Sequence, residues 1–200
     1  MGLDRAEAAR KLVHIAAGAP ALLLRWLSWP EAALMALAAL LFNGLVLPRV
    51  GGRALWRGER GRPYDPGILL YPAAVLALVL VFRGRLALAA AVWGVMACGD
   101  GMATLVGRAT GGPPLPWNGD KTWSGLAAFV VCGAGAAAVL FAWTSHLPLS
   151  AAASARVLGG SVALALVCGL VESLPTGIDD NLTVPLAGAL MIAALARLLG

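Results

Sequence analysis

Apolar runs about as long as a bilayer is thick recur along this chain, and they leave room for little besides a bundle of membrane-crossing helices. A helix needs about 20 mostly apolar residues to cross the hydrocarbon core. Such runs fall near residues 12–29, 31–48, 66–82, 86–106, 123–143, 154–171 and 182–199. What remains is short connections, too brief for a water-soluble domain of ordinary size. Composition agrees: of 200 residues, 60% are hydrophobic and 12% charged, with a mean hydropathy of +0.83. The expected fold is all-α, a polytopic transmembrane helical bundle of about seven spans forming a single unit over residues 1–200. The first and last runs carry Arg25 and Arg197 near their ends, and those charges must reach the interface.

The arginines set the orientation. Arg49, Arg53, Arg57, Arg60 and Arg62 crowd one connection, while Arg5, Arg10 and Lys11 stand at the N-terminus. The opposite side holds only scattered arginines, Arg25, Arg83, Arg85, Arg156 and Arg197. The positive-inside rule then predicts a cytoplasmic N-terminus and an external C-terminus. This clustering also makes a net charge of +5 a matter of membrane orientation rather than nucleic-acid binding. No small-residue cleavage site follows the first apolar run before Trp26 and Trp29, so that run reads as a retained span. Cys98, Cys132 and Cys168 lack metal-site or disulfide spacing and read as inert core thiols. Trp26, Trp29, Trp56, Trp117, Trp123 and Trp143 sit near run ends, as an interfacial belt does. The expected location is a bacterial-type inner membrane.

With this topology the 107–122 connection and the 172–181 connection share the cytoplasmic side. Both are acidic or phosphate-friendly. The stretch from Asp100 to Gly125, DGMATLVGRATGGPPLPWNGDKTWSG, places Asp100, Ala103 and Gly107 on one helical face. That face has a carboxylate and little bulk, so a large anionic ligand or another backbone can approach it. Gly111 to Pro114 end the helix, and Lys121 follows. The other connection offers Glu172, Asp179, Asp180 and Asn181. Carboxylates at the hydrocarbon boundary are costly unless paired, hydrated or bound to a cation. Helix capping alone accounts for Asp179 and Asp180 equally well, and Glu172 can simply pair with an arginine. Asp100, between Gly99 and Gly101 in an apolar run, is the strongest candidate for a functional acid.

The order Asp100, Ala103, Gly107, Gly111, Lys121, Thr122 and Gly125 resembles the CTP-binding segment of the dolichol kinase and phytol kinase family. Asp120 and Ser124 depart from its pattern, standing where a basic residue and a Glu are usual, and no catalytic role is carried to Ser124. Glu172, Asp180, Asn181, Val184 and Pro185 are similar to the family's C-terminal motif, and Arg10, Lys11 and His14 to its opening Arg-Lys-x-x-His. Gly67 to Pro72 is a softer likeness. The resemblance implies a CTP-dependent lipid kinase that moves the terminal phosphate to the hydroxyl of an isoprenoid alcohol such as phytol, geranylgeraniol or a polyprenol. It also implies Mg²⁺.

On this reading Asp100, Glu172 and Asp180 are the metal ligands, and Ala103, Gly107, Gly111, Lys121, Thr122 and Gly125 bind nucleotide. Lys121 sits on the phosphates, and Glu172 or Asp179 takes the alcohol proton. Arg10, Lys11, His14 and Asn181 are further candidates; for His14 an ordinary hydrogen bond within the bundle, and for Arg10 and Lys11 lipid headgroups, are the plain alternatives. Rival functions are a CDP-lipid synthase, a diacylglycerol kinase, and a non-catalytic transporter or scaffold. The small residues Gly133 to Ala138 fit close helix packing or a groove for a prenyl tail.

Overall fold

The computed structural model describes residues 5–50 and 66–199. Most of the arginine-rich connection, Arg53 to Arg62, and Trp56 lie outside the described residues. Helix α1 spans Arg5–Ala16, followed by a 3₁₀ segment Ala19–Arg25; α2 spans Trp29–Leu41 and runs into a π turn at Phe42–Val46. Helix α3 is Gly67–Val81 and α4 is Leu86–Gly94; a π turn at Val95–Gly99 leads without interruption into α5, Asp100–Thr110. A short antiparallel hairpin, β1 Pro114–Leu115 and β2 Asn118–Thr122, precedes α6, Trp123–Thr144. A 3₁₀ turn at Leu149–Ala153, α7 at Ala155–Ser173 and α8 at Asp180–Leu199 complete the chain.

The all-helical expectation holds apart from the hairpin, which occupies what the sequence marks as a Gly/Pro-rich loop. Among the described residues, four helices are long and apolar enough to cross a membrane: Trp29–Val46, Leu86–Thr110, Trp123–Thr144 and Ala155–Ser173. Gly67–Val81 is apolar but shorter. The 12–29 run is not one helix, because α1 stops at Ala16 and the chain turns through Gly18 and Pro20. A Cβ on Gly18 would lie 2.5 Å from the Cβ of Ala97, so only glycine lets this bend press against the Val95–Gly99 turn.

Helix α6 is the central post, packed against α4, α5 and α7. Small residues permit this. A Cβ on Gly94 would come within 3.1 Å of the Ala136 backbone, and one on Gly133 within 3.5 Å of the Gly99 Cα. Gly133, Ala134, Ala137 and Ala138 are buried, so this face of α6 is used for helix contact. The core around it holds Phe129, Met96, Val92, Val79 and Val184.

Two polar details show how the apolar frame closes. Pro72 inside α3 has no N–H to give the carbonyl one turn earlier, that of Ile68. Asn43 fills the vacancy: its Nδ2 donates to the Ile68 carbonyl at 2.9 Å. The lone asparagine in an apolar run is thus the partner of a proline in the next helix. At the start of α2 the Glu31 carboxylate accepts from the Ser28 N–H at 2.7 Å and its hydroxyl at 2.6 Å, which satisfies an otherwise orphaned donor.

Candidate active site

The π turn at Val95–Gly99 places Asp100 at the head of α5, in the interior and only 5% exposed. Single π turns often mark functional sites. The glycines beside Asp100 let neighbours close over it: a Cβ on Gly101 would lie 2.3 Å from Ile15, and one on Gly99 3.0 Å from Phe129. Helix α1 is therefore pressed onto α5, and two of its residues a turn apart reach the carboxylate. Lys11 Nζ donates to both oxygens of Asp100, at 3.0 and 2.9 Å. His14 Nε2 lies 3.3 Å from Asp100 Oδ2 and 3.1 Å from the Met96 carbonyl. Its ring stands edge-on to Tyr71, centroids 4.8 Å apart, and the Tyr71 hydroxyl accepts from Trp93 Nε1 at 2.9 Å. Arg10 is the residue before Lys11 on α1. Arg108 further ties α5 to α1 through Glu7, at 3.0 Å.

A second acid pair comes from the far end of the chain. Glu172, 3% exposed, ends α7, and Asp180 opens α8. Lys121 of β2 is ion-paired to Glu172 and lies 3.3 Å from Asp180. Burial disfavours its charge, but the carboxylates of Glu172 and Asp180 outweigh this and hold the Lys121 ammonium above the ordinary lysine value of 10.5. Asp100, Glu172 and Asp180 each offer an oxygen, and these oxygens all lie within 4.8 Å of one another. At an effective dielectric constant near 20, two bare carboxylates at that distance repel by roughly 3.5 kcal/mol. Lys11 and Lys121 offset this repulsion. An all-oxygen donor set of this kind suits Mg²⁺, which takes one or two carboxylates and keeps its waters.

The small-residue motif around the site brings two helices together: Ala103, Gly107 and Gly125 pack on one another. A Cβ on Gly125 would come within 2.9 Å of the Ala103 carbonyl oxygen; one on Gly107 would lie 2.9 Å from Thr122 Oγ1 and 3.3 Å from the Gly125 Cα. Of the two visitors that the bare face admits, it receives the neighbouring backbone. Thr122 caps α6, its hydroxyl accepting from the Gly125 N–H at 3.1 Å. Gly111 ends α5 with φ 57°, the left-handed position that glycine fills at least cost. These residues form the frame that presents Lys121.

Asp179 does not join the carboxylate group. Its Oδ1 accepts from the Asn181 N–H and from Asn181 Nδ2, both at 2.9 Å, because the first N–H groups of α8 need an acceptor. Asn181 Oδ1 and Thr183 Oγ1, just inside α8, are buried with no hydrogen-bond partner among the described residues. The hairpin is anchored by residues whose part the sequence reading did not foresee. Trp117 Nε1 donates to Ser173 Oγ at 3.0 Å, Asn118 Nδ2 donates to the Ser173 carbonyl at 3.0 Å, and Trp117 meets Trp123 edge-on at 5.5 Å. Ser173 adjoins Glu172, so these contacts fix Lys121 against its acid. The only sequence signal was two tryptophans flanking a lysine, which a membrane belt explains equally well.

The chain was compared with known proteins. No family model matches it, and no solved structure matches it. Curated proteins do. It is 32% identical over 195 residues to "Probable phytol kinase 1, chloroplastic" of Oryza sativa subsp. japonica, covering 89% of this chain and 61% of that protein. It is 31% identical over 195 residues to "Phytol kinase 1, chloroplastic" of Arabidopsis thaliana, covering 89% and 63%. To "Farnesol kinase, chloroplastic" of the same plant it is 33% identical over 201 residues, covering 90% and 63%. The chain thus spans under two thirds of the length of these relatives. It is homologous over most of its own length to proteins named phytol kinase and farnesol kinase, and this supports the polyprenol and phytol kinase family for it.

Proposed function

We propose that this protein is a membrane-embedded prenol kinase that transfers the terminal phosphate of CTP to the hydroxyl of an isoprenoid alcohol, giving a prenyl monophosphate and CDP. The observation that carries this reading is the meeting of Asp100, Glu172, Asp180 and Lys121, from three separate parts of the chain, with Lys11 and His14 behind Asp100. Phosphoryl transfer asks a protein mainly to position the groups and to offset charge on the phosphate oxygens. Carboxylates within reach of the Lys11 and Lys121 ammonium groups supply both signs of charge that task needs.

Asp100, Glu172 and Asp180 would hold Mg²⁺, which when bound neutralises phosphate oxygens and polarises the transferred group. Lys121 is 30% exposed on its side chain, so it can leave its acids for the phosphates when nucleotide arrives. Lys11, 19% exposed and bidentate on Asp100, keeps that carboxylate oriented. In the transfer the alcohol oxygen bonds to the terminal phosphorus, the bond to the bridging oxygen breaks, and CDP leaves with that electron pair. The alcohol proton goes to a carboxylate oxygen not engaged by the ion, the second oxygen of Glu172 or that of Asp179. Asp179 and Asn181 shape the turn that carries Asp180. The prenyl chain stays in the bilayer, and its hydroxyl meets the nucleotide at the membrane surface, taken as the cytoplasmic face of a bacterial-type inner membrane.

The test is product analysis with purified protein in detergent. CTP or ATP is supplied against phytol, farnesol, geranylgeraniol, a longer polyprenol and diacylglycerol, and products are read by mass spectrometry. Prenyl monophosphate formed from CTP is the expected result. A CDP-lipid product would make the enzyme a cytidylyltransferase, phosphatidic acid would make it a diacylglycerol kinase, and no product with any pair would leave a transporter or scaffold.

A further inference from the structure

The end of the bundle away from the acidic cluster carries a second feature. A cavity of about 460 Å³ lies between the Ala19–Arg25 turn, the start of α4 and the end of α6. Helix α6 has 22 residues, so at 1.5 Å per residue this cavity is about 30 Å from Lys121, the thickness of a hydrocarbon core. Its wall has two characters. Leu24 and Phe141 give an apolar side; Arg25, Arg85, His146 and Thr144 give a polar, cationic one.

The polar side is held in place and not neutralised. Arg25 Nη1 donates to the Trp143 carbonyl at 2.6 Å, and its guanidinium lies 4.4 Å from the Trp143 ring centroid. Among the described residues Lys11, His14, Arg108 and Lys121 form ion pairs, and no described carboxylate pairs with Arg25 or Arg85. Thr144 is 8% exposed, and its hydroxyl oxygen is buried with no hydrogen-bond partner among the described residues. An unpaired buried hydroxyl costs on the order of 1–3 kcal/mol. His146 closes α6 with φ 57°, its N–H bonding back to Trp143 and that of Leu147 to Ala142. This is the position glycine usually takes, yet here it carries a hydrogen-bonding ring at the cavity mouth.

We propose that this cavity binds an anionic membrane phospholipid by its headgroup. Arg25 and Arg85 hold the phosphate, the His146 ring donates to its oxygens, and the start of the acyl chain lies along Leu27 and Phe141. Uncompensated positive charge selects an anion, the apolar side selects an amphiphile over free phosphate, and the volume falls in the range of small-ligand sites. The site is independent of the proposed kinase chemistry.

The experiment is native mass spectrometry of the full chain in detergent with equal phosphatidylglycerol and phosphatidylcholine. Wild type is expected to retain phosphatidylglycerol selectively, and Arg85→Gln to lower that occupancy about fivefold, the effect of one basic residue at an anionic surface. Arg85 is exposed, so its loss leaves the bundle folded. Arg25→Gln should lower occupancy further, with a melting curve confirming that the variant is folded. Equal retention of the two lipids, or an Arg85→Gln protein indistinguishable from wild type, would overturn the site. Displacement of phosphatidylglycerol by inorganic phosphate as readily as by more lipid would overturn the assignment to a lipid.

Discussion

Replacing Lys121 by methionine tests the electrostatic account of the site most directly. Methionine keeps the stem and removes the charge, leaving Glu172 and Asp180 without the ammonium they share. The three carboxylates then have oxygens within 4.8 Å of one another and only Lys11 and His14, on the Asp100 side, to offset them. Each bare pair repels by roughly 3.5 kcal/mol at an effective dielectric constant near 20. Breaking a buried pair by removing one partner costs on the order of 3–5 kcal/mol, and the 30% exposure of the Lys121 side chain puts this case at the lower end. A loss of about 3 kcal/mol is expected, read by denaturant unfolding in detergent with tryptophan fluorescence. Because Mg²⁺ can replace the missing positive charge, adding it should restore more stability to the variant than it gives wild type. The pH dependence has a fixed sign. Lys121 is held above its unfolded value of 10.5, so its contribution is complete below pH 10.5 and is lost as pH rises through the folded value. The wild-type advantage should stay level to about pH 10 and fall beyond. A loss under about 1 kcal/mol, or equal responses of the two proteins to Mg²⁺, would refute the reasoning.

Three further outcomes follow from particular contacts. Gly125→Ala puts a methyl 2.9 Å from the Ala103 carbonyl oxygen, so α5 and α6 must separate; about 1–3 kcal/mol of stability should be lost in thermal unfolding, and an unchanged melting temperature would contradict the packing role. Asn43→Leu strips the Ile68 carbonyl of its donor beside Pro72, at about 1–3 kcal/mol in the same assay, whereas Asn43→Gln, which keeps an amide donor, should recover part of it. Trp117→Phe removes the hydrogen bond to Ser173 that steadies the hairpin. Its expected effect is a several-fold rise in nucleotide KM with kcat less affected, and equal kinetics to wild type would separate the hairpin from nucleotide binding.

The sequence alone determined the apolar helical character of the chain, the location of its polar connections and the identity of its scarce acids. Hydropathy and charge act locally, and a carboxylate in an apolar run is too costly to stand there without a use. Asp100, Glu172 and Asp180 stood out as candidates for that reason, and Lys121 through its place in the Asp100–Gly125 motif. The neighbours of those residues were not. That Lys11 and His14 close on Asp100, that Asn43 serves the carbonyl freed by Pro72, and that Trp117 and Asn118 anchor on Ser173 are facts of chains brought together across long separations. Spacing also could not tell a small-residue face that admits a ligand from one that admits a helix, since both need the same absence of bulk. The packed structure lays Gly107 and Ala103 against Gly125. The break in the 12–29 run was likewise visible only in the tertiary contact, where Gly18 bends the chain against Ala97 in a stretch that hydropathy reads as unbroken.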